Sequence, residues 1–154
     1  MQVAQKLYEA GHITYMRTDA VNLSEFAIQA AKDQIISQYG EKYSKPTHSA
    51  TKSKGAQEAH ECIRPTHMEN TIAGADASEK KLYQLIWKRT IASQMAPAVL
   101  EKTKAKIQIS STDKYHFEAT GEVIKFDGFL KLYMEGTDNE DDEETAGMLP
   151  ALNQ

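Results

Sequence analysis

Five polar side chains with chemistry to offer fall within six positions: Thr14, Tyr15, Arg17, Thr18 and Asp19, with apolar Ile13 and Met16 among them. Gly11 precedes them as a turn signal, and a helix start follows at Asn22 to Ser24. The group therefore lies on a short extended connection between two helices, where binding and catalytic groups concentrate. A phenol with a pKa of about 10 is a weak nucleophile at neutral pH. To act as one, Tyr15 needs help with deprotonation and with the negative charge that develops during attack. In extended chain, residues i and i+2 share a face, which puts the forked Arg17 guanidinium beside that phenol. The residues alone leave plainer readings open: an ordinary turn or core tyrosine, an Arg17–Asp19 surface salt bridge, and threonine hydroxyls that stabilise a turn.

A second group lies downstream. His60, Cys62 and His67 superficially suggest zinc, but the spacing fits no standard site and a fourth ligand is missing, so no metal is expected. By itself His60 reads as a satisfied structural histidine. Arg64, directly before Pro65, reads first as a residue that holds its loop. Lys42, Lys45, Lys52 and Lys54 interleave with hydroxyl residues across 41–55, either as a solvated loop or as a surface facing a nucleic-acid backbone.

The elements that would position these groups follow from periodicity. Residues 1–10 predict a helix ending at Gly11, with Val3, Ala4, Leu7 and Tyr8 on one side, and the chain starts abruptly, as though cut from something longer. Residues 24–39 predict a second helix through Phe26, Ala27, Ala30, Ala31 and Ile35, stopped by Gly40. Asn22 with Glu25 resembles a capping box. Residues 56–63 are helix-capable up to Pro65. Ser78 is expected to cap a long helix to about Met95, with Leu82, Leu85, Ile86, Ala92 and Met95 as its buried stripe and Trp87 in the core. The period then changes to strict alternation over 102–109, a half-buried strand. A turn at 112–114, a strand through Tyr115, Phe117 and Ala119 interrupted at Gly121, a turn at Asp127-Gly128 and a strand over 129–133 follow, with the strand aromatics expected in the core. The acidic run 138–144 is expected to be mobile, and 148–152 to form a last short strand. The fold class is thus α+β: a helical domain over 1–98, then an antiparallel β-rich portion over 99–154.

At 154 residues, 40% apolar and 26% charged, the chain has the composition of a soluble globular protein of one or two domains. It contains no membrane-length apolar run and no signal-peptide core, and its single Cys62 cannot form an internal disulfide, which fits a reducing cytoplasm. The net charge of −4 argues against a stand-alone tight DNA binder. Residues 1–98 nevertheless carry nine Lys and three Arg against three Asp and seven Glu, a balance of +2, while 99–154 balance at −6. Only the first part suits a nucleic-acid surface, and a mild one, as expected if the main DNA grip lies elsewhere.

Three stretches carry a resemblance. Ile13-Thr14-Tyr15-Met16-Arg17-Thr18-Asp19 resembles the active-site signature of the type IA DNA topoisomerases, the bacterial DNA topoisomerase I family. Residues 56–66, with His60-Glu61-Cys62-Ile63-Arg64-Pro65-Thr66, are similar to a second signature, and 82–87 followed by 92–95 to a third, in family order and at family-like spacing. Ala20 stands where the family usually has Ser, and Cys62 where Ala is common.

The resemblance implies that Tyr15 attacks a phosphodiester of single-stranded DNA and becomes joined to the 5′ phosphate. The cut strand is held while another passes, and the reaction then reverses without ATP, relaxing negative supercoils. It implies that Arg17 clamps the phosphate, that His60 is a hydrogen-bond donor or proton relay beside it, and that Thr14, Thr18 and Arg64 are candidate DNA contacts. It further implies a helical domain inserted into a β-rich arch domain over a DNA-sized hole, and a separate Toprim domain whose acidic cluster binds Mg²⁺. No Asp-x-Asp pattern of that kind occurs here. The chain is thus expected to be a cytoplasmic, nucleoid-associated part of a topoisomerase, partnered by single-stranded DNA and by the remaining domains of the same enzyme. It is expected to hold no cofactor of its own and to be inactive alone. A DNA-binding helical module without catalysis, using the basic loop, and a partner-binding scaffold are the alternatives.

Overall fold

The computed structural model describes residues 1–49, 61–110 and 112–134. Its elements are α1 (Gln2–Glu9), α2 (Glu25–Tyr39), a 3₁₀ turn (Glu41–Tyr43), α3 (Ala77–Ser93), β1 (Val99–Ile109), β2 (Thr112–Phe126) and α4 (Leu130–Met134). The expected α+β class holds: helices and one two-stranded antiparallel sheet. The chain divides into two compact units, Met1–Ala96 and one that begins at Pro97.

In the first unit, α1 ends in a double hydrogen bond typical of a left-handed cap. Gly11 donates to the Tyr8 carbonyl and His12 to that of Leu7, each at 2.9 Å, with Gly11 at φ 74°. This reversal launches the Tyr15 stretch. Leu7, Ile13, Ala31, Ile35, Pro65, Tyr83 and Ile91 form the fully buried centre of this unit.

Several expectations are corrected. The N-cap of α2 is Ser24, whose Oγ accepts from Ala27 N, not Asn22. Phe26 on its first turn is 77% exposed, and Ile28 is buried instead. The cap of α3 is Asp76, whose carboxylate accepts from Glu79 N at 2.8 Å, not Ser78. Trp87 and Met95 are buried as expected, but the buried face of α3 is otherwise rotated: Leu85 is exposed, while Tyr83, Thr90 and Ile91 are buried. Aromatic rings go inside here because their polar tips find acceptors. Trp87 Nε1 donates to the Met68 carbonyl at 2.8 Å, and Tyr83 Oη to that of Asn70 at 2.7 Å. Residues 61–63 are not helical, and 56–60 lie outside the described residues, as do Lys52, Lys54, the acidic run and the expected last strand.

Gly74 precedes the Asp76 cap at φ +116°, and a Cβ there would stand 2.6 Å from Glu79 Cβ and 3.0 Å from the helix backbone. Glu79 is itself pinned, accepting from Ala75 N at 2.8 Å and lying 3.6 Å from Lys6 Nζ of α1. Gly74→Ala is therefore expected to destabilise the unit by about 2 kcal/mol or more, read as a lower urea midpoint. An unchanged midpoint would show that the turn relaxes freely.

In the second unit β1 and β2 pair antiparallel, Glu101 opposite Val123 and Ile107 opposite Phe117. The strands are longer than expected: Thr112 already pairs with Ile109, so 112–114 is not the turn, and β2 runs through Gly121 without a break. Cross-strand pairs Lys102–Glu122 (2.7 Å) and Lys106–Glu118 (3.8 Å) occupy one face. The expected half-burial is not observed: Ile107, Tyr115 and Phe117 are all more than half exposed, so the strand aromatics are not core. The expected strand over 129–133 is α4. Leu130 N donates to the Asp127 carbonyl, which turns the chain into a helical winding and buries Leu132.

Candidate active site

The sequence's two richest stretches meet in space. Ile13 bridges Pro65 in antiparallel fashion. Thr14 N donates to the Arg64 carbonyl at 2.9 Å, and Thr66 N to that of His12 at 3.0 Å. Thr14 Oγ1 donates to the Cys62 carbonyl at 2.8 Å and accepts from Arg64 N at 2.9 Å. Thr14 thus works as a rivet between the stretches. Thr18 Oγ1 accepts from Ala20 N at 3.1 Å and closes a small turn.

From Ile13 onward the buried residues are Ile13, Met16 and Ala20, whereas Tyr15, Arg17 and Asp19 are exposed. The apolar three anchor the segment and present the polar three outward. The segment bends at Thr14, Met16 and Arg17, so it is less straight than an extended connection. Tyr15 is 41% exposed and stands edge-on to Tyr8 of α1, ring centroids 5.3 Å apart. Arg17 is exposed and forms no ion pair with Asp19 or any other described residue.

Arg64 is differently placed. Its Nε donates to Glu61 Oε2 at 2.8 Å, Nη2 lies 2.6 Å from the same carboxylate, and Nη1 donates to the Pro65 carbonyl at 3.0 Å. Glu61 Oε1 accepts from Ser24 N at 3.0 Å, completing the cap of α2 from a remote loop. Desolvation raises the Glu61 carboxyl, but the Ser24 hydrogen bonds and the Arg64 charge outweigh it and hold the group below its usual range. Glu61 therefore adds stability that is complete above about pH 5 and is lost as pH falls through its lowered folded value. Glu61→Gln is expected to cost about 1.5–3 kcal/mol at pH 7. That deficit should shrink towards pH 3, and a pH-independent deficit in urea melts would contradict the assignment.

Sequence reasoning gave Glu61 no role beyond its place in the second signature, and Tyr8 none beyond the face of α1, since the Ser24–Glu61 contact spans 37 residues and the Tyr8–Tyr15 ring contact crosses the turn at Gly11. Tyr83, the other prominent tyrosine, is pushed up to about 12 by burial and the charge of Glu69, which keeps it a protonated structural donor. Burial likewise pushes the Cys62 thiol up. His60 lies outside the described residues. Among the described residues no three His, Cys, Asp or Glu side chains are grouped to hold a metal ion.

A family model described as DNA topoisomerase matches residues 1–154. The chain belongs to the DNA topoisomerase family. It is 47% identical over 146 residues to a DNA topoisomerase 1 of Synechocystis sp., covering 92% of this chain and 16% of that protein. It is 45% identical over 166 residues to the DNA topoisomerase 1 type prokaryotic of Acanthamoeba polyphaga mimivirus, covering 99% and 19%. The structure of full-length topoisomerase I from Thermotoga maritima is similar at a TM-score of 0.71 and 35% identity, over 86% of this chain and 22% of that one. This topoisomerase chain therefore spans between 16% and 22% of the length of these relatives. Among its described residues no helix is long and apolar enough to cross a membrane.

Proposed function

We propose that this chain supplies the nucleophile with which a type I topoisomerase opens one DNA strand. Tyr15 attacks a phosphodiester of single-stranded DNA, its phenolic oxygen bonds to the 5′-side phosphorus, and the 3′ oxygen leaves with a proton. Reversal rejoins the strand after another has passed, and the phosphotyrosine ester conserves the energy of the broken bond, so no ATP is consumed. The observation that carries this reading is the exposed Tyr15–Arg17 pair on a segment anchored by buried neighbours and riveted through Thr14 to the Arg64 loop.

Arg17 donates a forked pair of hydrogen bonds to the phosphate under attack. Thr18, which only accepts in its turn, adds a hydroxyl donor to the DNA backbone. Thr14 and Arg64 hold the geometry, and His60 takes the role the family resemblance implies for it, a hydrogen-bond donor or proton relay toward the scissile phosphate. The reaction is expected to need Mg²⁺, as the family resemblance implies. We place that ion on acidic side chains outside this chain, where it would neutralise phosphate charge. The isolated chain is then inactive in supercoil relaxation, and measurable relaxation by it would overturn that.

The test is reconstitution. The chain is mixed with the separately made N-terminal portion of a related topoisomerase, Mg²⁺ and end-labelled single-stranded DNA, then quenched with denaturant. A labelled covalent adduct supports the proposal. No adduct from folded, associated pieces would leave a DNA-binding module without catalysis as the better account.

A further inference from the structure

A cleft of about 250 Å³ opens just beyond the Tyr15 stretch, between the 20–23 segment, residues 47–49, the 62–63 loop and the C-terminal half of α3. Its walls are apolar at Val21, Leu23 and Ile63, and Val21 and Ile63 are 52% and 37% exposed. Arg89 lines it, exposed and without an ion pair or hydrogen bond to any described residue. No acidic side chain is among the lining residues.

The cleft is preformed. Gln94, 2% exposed, accepts from Thr47 N at 2.9 Å and donates to the Thr47 carbonyl at 3.2 Å, which fixes one wall. Cys62 N donates to the Asn22 carbonyl at 2.9 Å and fixes the opposite one. Open apolar surface beside a guanidinium that has no ion-pair partner among the described residues suits a molecule that is flat and apolar at one end and anionic at the other. A nucleotide has that shape and charge: its base lies on aliphatic side chains or on the guanidinium plane, and its phosphate meets the guanidinium fork. The cavity is below the size of an ordinary drug-sized pocket, which limits it to about one such unit. Val21 is six residues from Tyr15, so their Cα atoms are at most ~22 Å apart. A strand held at Tyr15 reaches the cleft within a handful of nucleotides.

We propose that this cleft is a nucleotide seat for the single strand that Tyr15 cleaves, with Arg89 on a phosphate and Val21 and Ile63 against the base. This rests on the proposed function for the identity of the strand, and on the cleft alone for the chemistry of the ligand. The seat holds one flanking nucleotide in register and so contributes to where the strand is cut.

The test is methyl NMR of the whole 154-residue chain titrated with pentathymidylate. The expected result is movement of the Val21, Leu23 and Ile63 methyl signals, with binding about tenfold weaker in Arg89→Ala. Arg89→Lys, which keeps the charge but not the fork, should retain part of the affinity. An abasic backbone of equal length should move these methyl signals less. Shifts confined to the Tyr15–Asp19 stretch, or equal methyl shifts with the abasic backbone, would overturn the seat. Tyr15→Phe should leave the cleft shifts intact while removing any adduct. Cleft shifts without an adduct in reconstitution therefore sink the cleavage reading alone, and an adduct without cleft shifts sinks the seat alone.

Discussion

Tyr15→Phe is expected to lower covalent adduct formation at least about 10³-fold in the reconstituted system while leaving folding and DNA affinity nearly unchanged. Removing the phenolic oxygen removes the atom that bonds to phosphorus, and no other step replaces it. The ring survives, and with it the edge contact to Tyr8 at 5.3 Å. Because Tyr15 is 41% exposed on a segment anchored by Ile13, Met16 and Ala20, the stability change should stay within about 1 kcal/mol. Tyr8→Phe serves as the control and should retain the adduct. Loss of the adduct together with loss of the fold would mean that Tyr15 is structural.

The second large effect belongs to Arg17. Arg17→Ala is expected to slow adduct formation about 10²–10³-fold, the usual consequence of removing a preorganised donor from a developing oxyanion. Arg17→Lys should recover part of that loss, since an ammonium supplies charge but not the fork. Arg17 is exposed and pairs with no described residue, so neither variant should shift the urea midpoint by more than about 0.5 kcal/mol. A rate unchanged in Arg17→Ala would remove the phosphate clamp from the account.

How far these groups were legible in the sequence depends on the range of the interactions that place them. The Tyr15 segment was readable because local signals bracket it: Gly11 forces the reversal after α1, and Ser24 caps α2. The exposure of Tyr15 and Arg17 goes with burial of Ile13, Met16 and Ala20, a 3- and 4-residue spacing that an extended reading of the segment does not give. The buried face of α3 was misread because hydrophobicity ranks Leu85 above Tyr83. The fold buries the Tyr83 ring beside the expected Trp87, where the carbonyls of Asn70 and Met68 satisfy their polar tips. The short apolar run at 129–133 is equally compatible with strand and helix, and only the Asp127–Leu130 hydrogen bond settles it as α4. The alternation in β1 gave the strand but not its burial, since burial needs a covering layer that a strand pattern does not specify. Least legible was the Glu61 clip, which joins Ser24 and Arg64 across 37 and 3 residues. No periodicity reports a carboxylate that caps a helix from a distant loop.

The most direct measurement is the identity of the residue that carries the DNA. Trypsin cleavage after Lys6 and Arg17 would release a peptide containing both Tyr8 and Tyr15, whose rings touch in the folded chain. Fragmentation mass spectrometry of that peptide from the reconstituted adduct, after nuclease trimming, locates the nucleotide remnant. The account predicts it on the Tyr15 oxygen, with Tyr8 unmodified. A remnant on Tyr8, or on a residue outside this peptide, would contradict the assignment of the nucleophile.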